Sequence, residues 1–137
     1  MLLFRPIGEA ELRLIAASGF RAFPPRLVHQ PIFYPVLDRD YAVQIARDWN
    51  TNDEASGHAG FVTEFDVDDE FARRYPVQDA GSRAHRELWV PAEDLPEFNR
   101  HIVGSIRVTA AFQGPSFAGS IDPATLLPVD LRPAPAG

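Results

Sequence analysis

The chain contains no cysteine among its 137 residues, so its fold must be stable without disulfide bonds. A chain of this length buries roughly two-thirds of its unfolded surface, which is enough for a packed core. Its hydrophobic content of 45% supports such a core. The lack of thiols also excludes disulfide frameworks and thiolate metal sites. The sequence therefore predicts one domain stabilised by apolar packing.

The charge of the chain limits the kinds of molecule that it can bind. The formal net charge is −6, and all 13 basic residues are Arg. Neutralising nucleic-acid phosphates requires a basic surface, so this balance argues against a nucleic-acid partner. No apolar run approaches the roughly 20 residues of a membrane span, and the N-terminus lacks the pattern of a signal peptide. We therefore expect a cytoplasmic protein with no membrane partner.

Short helices and strands are predicted without regular βαβ alternation. Helical spacing covers residues 9–18 and 38–49, with shorter helices at 68–75 and around Leu95 and Phe98. Strand patterns cover residues 2–4, 30–37, 61–67, 85–90 and 102–112, whereas residues 78–84 resemble a loop. These patterns indicate an α+β fold with a mainly antiparallel sheet, as one sheet or two packed sheets, and two to four short helices.

Two features of this pattern give specific expectations. In the second helix, Asp38 is the expected N-cap. The stripe of Tyr41, Ala42, Ile45, Ala46 and Trp49 is expected to face the core. Residues 114–137 contain five prolines and three glycines and have no period. We therefore expect a domain over 1–112 and a tail over 113–137 that drapes or is disordered, and whose removal leaves the fold intact.

Few residues suggest chemistry by themselves. The four histidines are far apart and do not have metal-ligand spacing, so no metal site is predicted. Three positions are less ordinary: Arg5 at the end of the first strand, Tyr34 in an aromatic strand before a helix, and Glu87 in the middle of the strand segment 85–91, on the face opposite Leu88 and Val90. Strand alternation places His85 on the same face as Glu87.

The order of these three positions resembles small bacterial ADP-ribosyltransferases. Leu3-Phe4-Arg5 is similar to the opening strand that supplies an Arg or His to NAD. The segment 31–37 followed by a helix resembles the element that holds a nicotinamide-stacking tyrosine, and 86–92 resembles the strand of the catalytic glutamate. The resemblance covers about residues 2–112, through single residues in common contexts.

The resemblance implies roles for these residues. Arg5 would contact the phosphate or ribose of NAD, Tyr34 or its neighbour Phe33 would stack on nicotinamide, and Glu87 would be catalytic. His85 would lie on the acceptor side. NAD would be the substrate, no metal would be needed, and the acceptor of ADP-ribose would be an unidentified macromolecule, for which a protein is expected.

The sequence also departs from the family pattern. The Ser-Thr-Ser signature of the toxin branch is missing, and Arg5 with Tyr34 forms a hybrid set. Two alternatives therefore stay open. One is a non-catalytic module of the same fold, in a toxin, immunity or phage-defence setting. The other is an unrelated small α+β binding protein in which Glu87 is simply solvated.

Overall fold

Antiparallel strands dominate the computed structural model of the protein, which describes residues 1–81 and 85–133. The strands are β1 (Leu2–Ile7), β2 (Ile32–Phe33), β3 (Ala59–Val67), β4 (Val77–Asp79), β5 (Arg86–Leu88), β6 (Val90–Pro91) and β7 (Ile102–Gln113). The α-helices are α1 (Glu9–Ala17), α2 (Arg39–Asp48), α3 (Asp69–Ala72) and α4 (Leu95–Arg100). The described residues therefore form an α+β protein with antiparallel sheets and four helices, as the sequence predicted.

The segment predicted as a loop before β5 contains one further strand. Val77–Asp79 forms β4 and pairs with β5, so the prediction of a loop from residue 78 is wrong at its start. Residues 82–84 of the same predicted loop lie outside the described residues. The predicted strand 85–90 is present as two pieces, because Trp89 separates β5 from β6.

The main sheet has the order β1-β3-β7, and Val36 extends it on the β1 side. Val36 forms an antiparallel bridge with Phe4 on one side and with Glu87 on the other. Two backbone hydrogen bonds of 2.7 and 2.8 Å join Val36 to Phe4. Strand β5, with Glu87, therefore lies one extended segment away from β1, with Arg5.

Apolar side chains cover both faces of this sheet. Leu3 and Phe65 point into the larger core, whereas Phe4 and Val62 point into a smaller cluster beneath α2. Successive residues of a strand face opposite sides, so two adjacent buried residues require cover on both sides. This explains why both Phe61 and Val62 are fully buried.

Aromatic rings fill the centre of the larger core. The ring centroid of Phe23 lies 5.1 Å from that of Phe33 and 4.8 Å from that of Phe65, and Phe33 lies 5.4 Å from Phe98. These separations and the tilted or edge-on ring planes are those that aromatic pairs prefer. The core therefore joins the irregular segment after α1 to β2, β3 and α4.

The predicted tail is part of this packing. Leu127 is 2% exposed and belongs to the larger core, and Phe117, Ile121 and Leu131 pack against it. Asp130 also pairs with Arg13 of α1, at 2.7 Å. The sequence left open whether the tail drapes over the domain or is disordered. Residues 114–133 drape over the domain, whereas 134–137 lie outside the described residues. The expectation that the segment can be removed without effect no longer follows.

We expect Leu127→Ala to lower the free energy of unfolding by about 2–4 kcal/mol, because it leaves a cavity in the core. Val129→Ala is the matched control, since Val129 is 66% exposed in the same segment. Chemical denaturation of both variants measures the difference. Equal stability of Leu127→Ala and wild type would contradict the packing of this segment.

Helix α2 lies unusually close to the sheet. Ala42 and Ala46 are fully buried, and a Cβ atom on Gly60 of β3 would lie only 2.0 Å from the carbonyl oxygen of Ala46. The prediction that the whole apolar stripe of α2 faces the core is only partly correct. Tyr41 and Ile45 are half-buried, and Trp49 is 60% exposed. The narrow gap requires small residues, so alanines rather than large side chains make the contact.

We expect Gly60→Ala to destabilise the protein by about 1–3 kcal/mol or more, because the new methyl group would push against helix backbone rather than a movable side chain. Thermal denaturation followed by far-UV circular dichroism measures the effect. Val103→Ala in β7 is the control, because Val103 is 61% exposed and surface changes stay within about 0.5 kcal/mol. A Gly60→Ala protein as stable as the control would refute the close contact.

Candidate functional site

A cavity of about 410 Å³ opens beside the junction of β1, Val36 and β5. Arg5, Tyr34 and Glu87, the three residues singled out from the sequence, all line it. The remaining lining residues are Pro6, Val36, Tyr41, Ile45 and Trp89. We call this space the first cavity. It combines one cation, one carboxylate and three aromatic rings.

The backbone decides which of the two adjacent aromatic residues reaches the first cavity. Phe33 is 1% exposed and packs in the core, whereas Tyr34 is 39% exposed and lines the cavity. Adjacent residues in extended backbone point to opposite sides, so only one of them can face the cavity. Tyr34 is therefore the residue available to a ligand, and Phe33 supports the site from the core.

Glu87 is held in place by a neighbouring indole. Its Oε1 accepts a hydrogen bond of 2.8 Å from Nε1 of Trp89, which also lines the first cavity. Its Oε2 has no hydrogen-bond partner among residues 1–81 and 85–133. A hydrogen bond to a carboxylate is stronger than one between neutral groups. The bond thus fixes one oxygen and leaves the other for a ligand.

Tyr41 and His85 form a stacked pair beside this carboxylate. Their ring centroids are 4.3 Å apart, with an angle of 14° between the planes. Burial raises the pKa of Tyr41, and the negative charge of Glu87 raises it further. Tyr41 therefore stays a protonated hydrogen-bond donor at neutral pH. His85 is not a lining residue and meets the site through Tyr41.

Asp38 does not cap α2 with its side chain, as the sequence had suggested. Its carboxylate instead pairs with Arg86 of β5, at 2.8 Å from Nη2. Hydrogen bonding to Arg86 lowers the pKa of Asp38. The pair connects the start of α2, which supplies Tyr41 and Ile45, to the strand that supplies Glu87.

Most of the N–H donors of Arg5 already form hydrogen bonds within the protein. Its Nε and Nη2 donate hydrogen bonds of 2.7 and 2.9 Å to the two carboxylate oxygens of Glu11. Its guanidinium also lies over the Phe33 ring, 4.7 Å from the centroid. The remaining nitrogen, Nη1, forms only a long hydrogen bond of 3.5 Å to the carbonyl oxygen of Tyr34. Arg5 therefore offers a ligand one nitrogen rather than a free fork.

A second cavity of about 420 Å³ adjoins the first, and Arg5 and Pro6 line both. Its walls come from β1, α1, the irregular segment around Arg26 and the turn after α2. Charged and polar side chains at its surface are Glu11, Arg26, Gln30, Asn50, Asp53 and Ser56. Arg5 and Pro6 therefore lie at the boundary between the two cavities.

Sequence reasoning missed several of these residues. Trp89 could have been found, because alternation places it on the same face as Glu87. Tyr41 was assigned to the core, although it is half-buried and lines the first cavity. Arg26 gave no signal, because it lies in a proline-flanked segment without periodicity.

No group of His, Asp and Glu side chains within residues 1–81 and 85–133 is arranged to hold a metal ion. In the same ranges, none of the helices has the length and apolar character needed to span a bilayer. Comparison of the chain with protein-family models, curated proteins and solved structures finds no match.

We expect Arg5→Met to lower the free energy of unfolding by about 1–3 kcal/mol, because it leaves the largely buried Glu11 carboxylate without its partner. Adding Glu11→Leu to this variant should restore part of the loss, which a double-mutant cycle measures. Arg47→Met, which breaks an exposed pair with Asp48, should leave stability unchanged. A loss in the control equal to that in Arg5→Met would contradict this role for Arg5.

Proposed function

We propose that the protein is an ADP-ribosyltransferase that binds NAD in the first cavity and transfers ADP-ribose to a macromolecular acceptor. The observation that carries the proposal is the convergence of Arg5, Tyr34 and Glu87 on one cavity. They come from three separate segments of the chain, namely β1, the residues after β2, and β5.

The chemistry of the cavity suits cleavage of the bond between nicotinamide and ribose. As this bond breaks, nicotinamide leaves with the electron pair and positive charge develops on the ribose, as in glycoside cleavage. The free oxygen of Glu87 would stabilise that charge, and an acceptor nucleophile would then bond to the ribose carbon and lose its proton. Preorganised electrostatic contacts of this kind contribute about a hundredfold to a thousandfold in rate.

The aromatic residues and Arg5 would hold the substrate. Tyr34, Tyr41 and Trp89 line the same cavity as the carboxylate, so a nicotinamide ring could stack on one of these flat side chains while it departs. The remaining nitrogen of Arg5 would donate to the ribose. His85, fixed against Tyr41, would lie beside the position of the acceptor.

A specific observation favours a second function. The fork of Arg5 is bonded to Glu11, which weakens its contribution to a phosphate contact. This arrangement favours a non-catalytic module of the ADP-ribosyltransferase fold, which would bind a nucleotide or a protein without cleaving NAD. Nicotinamide release separates the two functions.

We expect Glu87→Gln to reduce nicotinamide release by about two to three orders of magnitude while leaving NAD affinity and folding nearly unchanged. Glutamine keeps the shape and an oxygen that accepts from Trp89, but it removes the charge. Glu93→Gln is the matched control, because Glu93 is exposed and does not line the cavity.

The measurement combines calorimetric NAD binding with chromatographic detection of nicotinamide, in the presence of cell extract as the acceptor source. If wild type cleaves NAD and Glu87→Gln cleaves it equally fast, the assignment of Glu87 is wrong. If wild type binds NAD and releases no nicotinamide, the binding module is the correct function.

A further inference from the structure

Arg26 is a half-buried cation without an acidic partner in the described part of the chain. Its Nε donates to the carbonyl oxygen of Ile32 at 3.1 Å, and neither terminal nitrogen bonds to a residue within 1–81 or 85–133. Burial lowers the pKa of its guanidinium, and the charge of the neighbouring Arg5 lowers it further. The negative charge of Glu11 opposes these two effects in part. A guanidinium stays charged at neutral pH, so Arg26 presents a positive charge whose terminal nitrogens are unbonded among the described residues.

The second cavity places this charge beside exposed apolar surface. Leu14, Leu27 and Trp49 are each between 56% and 60% exposed, and all three line the cavity with Arg26. Single exposed apolar residues are ordinary, but a group around one concave site is typical of ligand binding. The ligand that fits has an anionic group joined to a flat or apolar body.

A polar side chain of the second cavity narrows the ligand class further. Asp53 lines the cavity, and its Oδ2 accepts a hydrogen bond of 2.6 Å from Ser56, while its Oδ1 has no described partner. Such a carboxylate oxygen can accept a hydrogen bond from a ligand donor such as a sugar hydroxyl or an amino group. A fatty acid has no such donor. A nucleoside phosphate has an anionic group, an aromatic ring and hydrogen-bond donors in one molecule.

Arg5 cannot supply the anion contact as well as Arg26 can. Both of its paired nitrogens face Glu11, so its charge is already balanced. A phosphate placed at Arg5 would also meet the carboxylate of Glu11. Arg26, whose terminal nitrogens are unbonded among the described residues, is therefore the better placed of the two cations to bind an anion.

We infer that the second cavity binds a nucleoside phosphate, with the phosphate on Arg26 and the base against Trp49. The choice of an adenine nucleotide as ligand rests on the proposed function, because the two cavities meet at Arg5 and one dinucleotide could span both. In this arrangement the phosphate is bound by Arg26, in the segment after α1, and not by Arg5 of β1, which was the residue expected from the sequence.

The test is calorimetric titration of the full chain with AMP, adenosine and inorganic phosphate as separate probes. Wild type should bind AMP more tightly than either fragment. Arg26→Ala should weaken AMP binding by at least about tenfold and leave adenosine binding unchanged, because it removes a charge-assisted contact. Arg21→Ala is the matched control, since Arg21 is exposed in the same segment and lines neither cavity.

If Arg26→Ala does not fold, Arg26→Gln takes its place, because glutamine keeps a donor for the Ile32 carbonyl without the charge. Failure of wild type to bind AMP, or equal AMP affinity in the Arg26 variants and wild type, would overturn the inference. Nicotinamide release measured on the same samples tests the proposed function separately. AMP binding that depends on Arg26 without nicotinamide release would support the inference and reject the proposed cleavage.

Discussion

The main-chain hydrogen bonds of Pro35–Leu37 determine which side chains can meet in this protein. Val36 bonds to Phe4 in both directions, the carbonyl of Pro35 accepts from Leu88, and the amide of Leu37 donates to Arg86. This extended segment therefore lies between β1 and β5 and sets their separation. The first cavity exists because Arg5, Tyr34 and Glu87 project from three neighbouring lengths of backbone. If this segment were displaced, Glu87 and Arg5 would no longer belong to one site, although every helix could still form.

The sequence predicted correctly those helices and strands in which the spacing of apolar residues matches the pattern of buried side chains. The alternation in 61–67 predicted β3, and the apolar spacing of 9–18 predicted α1, which ends at Ala17, two residues before Gly19 with its left-handed φ of 73°. In each case the information lies within a few residues, because the period of a strand or helix is a local property.

The remaining features depend on contacts between residues that are distant in sequence. Whether Phe33 or Tyr34 faces the core is decided by the rings of Phe23 and Phe98, which no local pattern reveals. Asp38 pairs with Arg86 instead of capping its helix because β5 lies within reach. Leu127 enters the core from an irregular segment, and irregular segments have no period from which burial could be inferred. The partners Arg5 and Glu11 are only six residues apart, but their pairing depends on the direction in which α1 leaves β1.

The chain has two tryptophans, and each belongs to a different cavity. Trp89 borders the first cavity at 46% exposure, and Trp49 borders the second at 60%. Indole emission responds to the polarity around the ring, so the protein carries a separate optical reporter in each cavity without any label. Replacing one tryptophan by phenylalanine would leave a single emitter, and its spectral shift would identify the cavity that a given molecule enters. A molecule that occupies both cavities would change both emitters together.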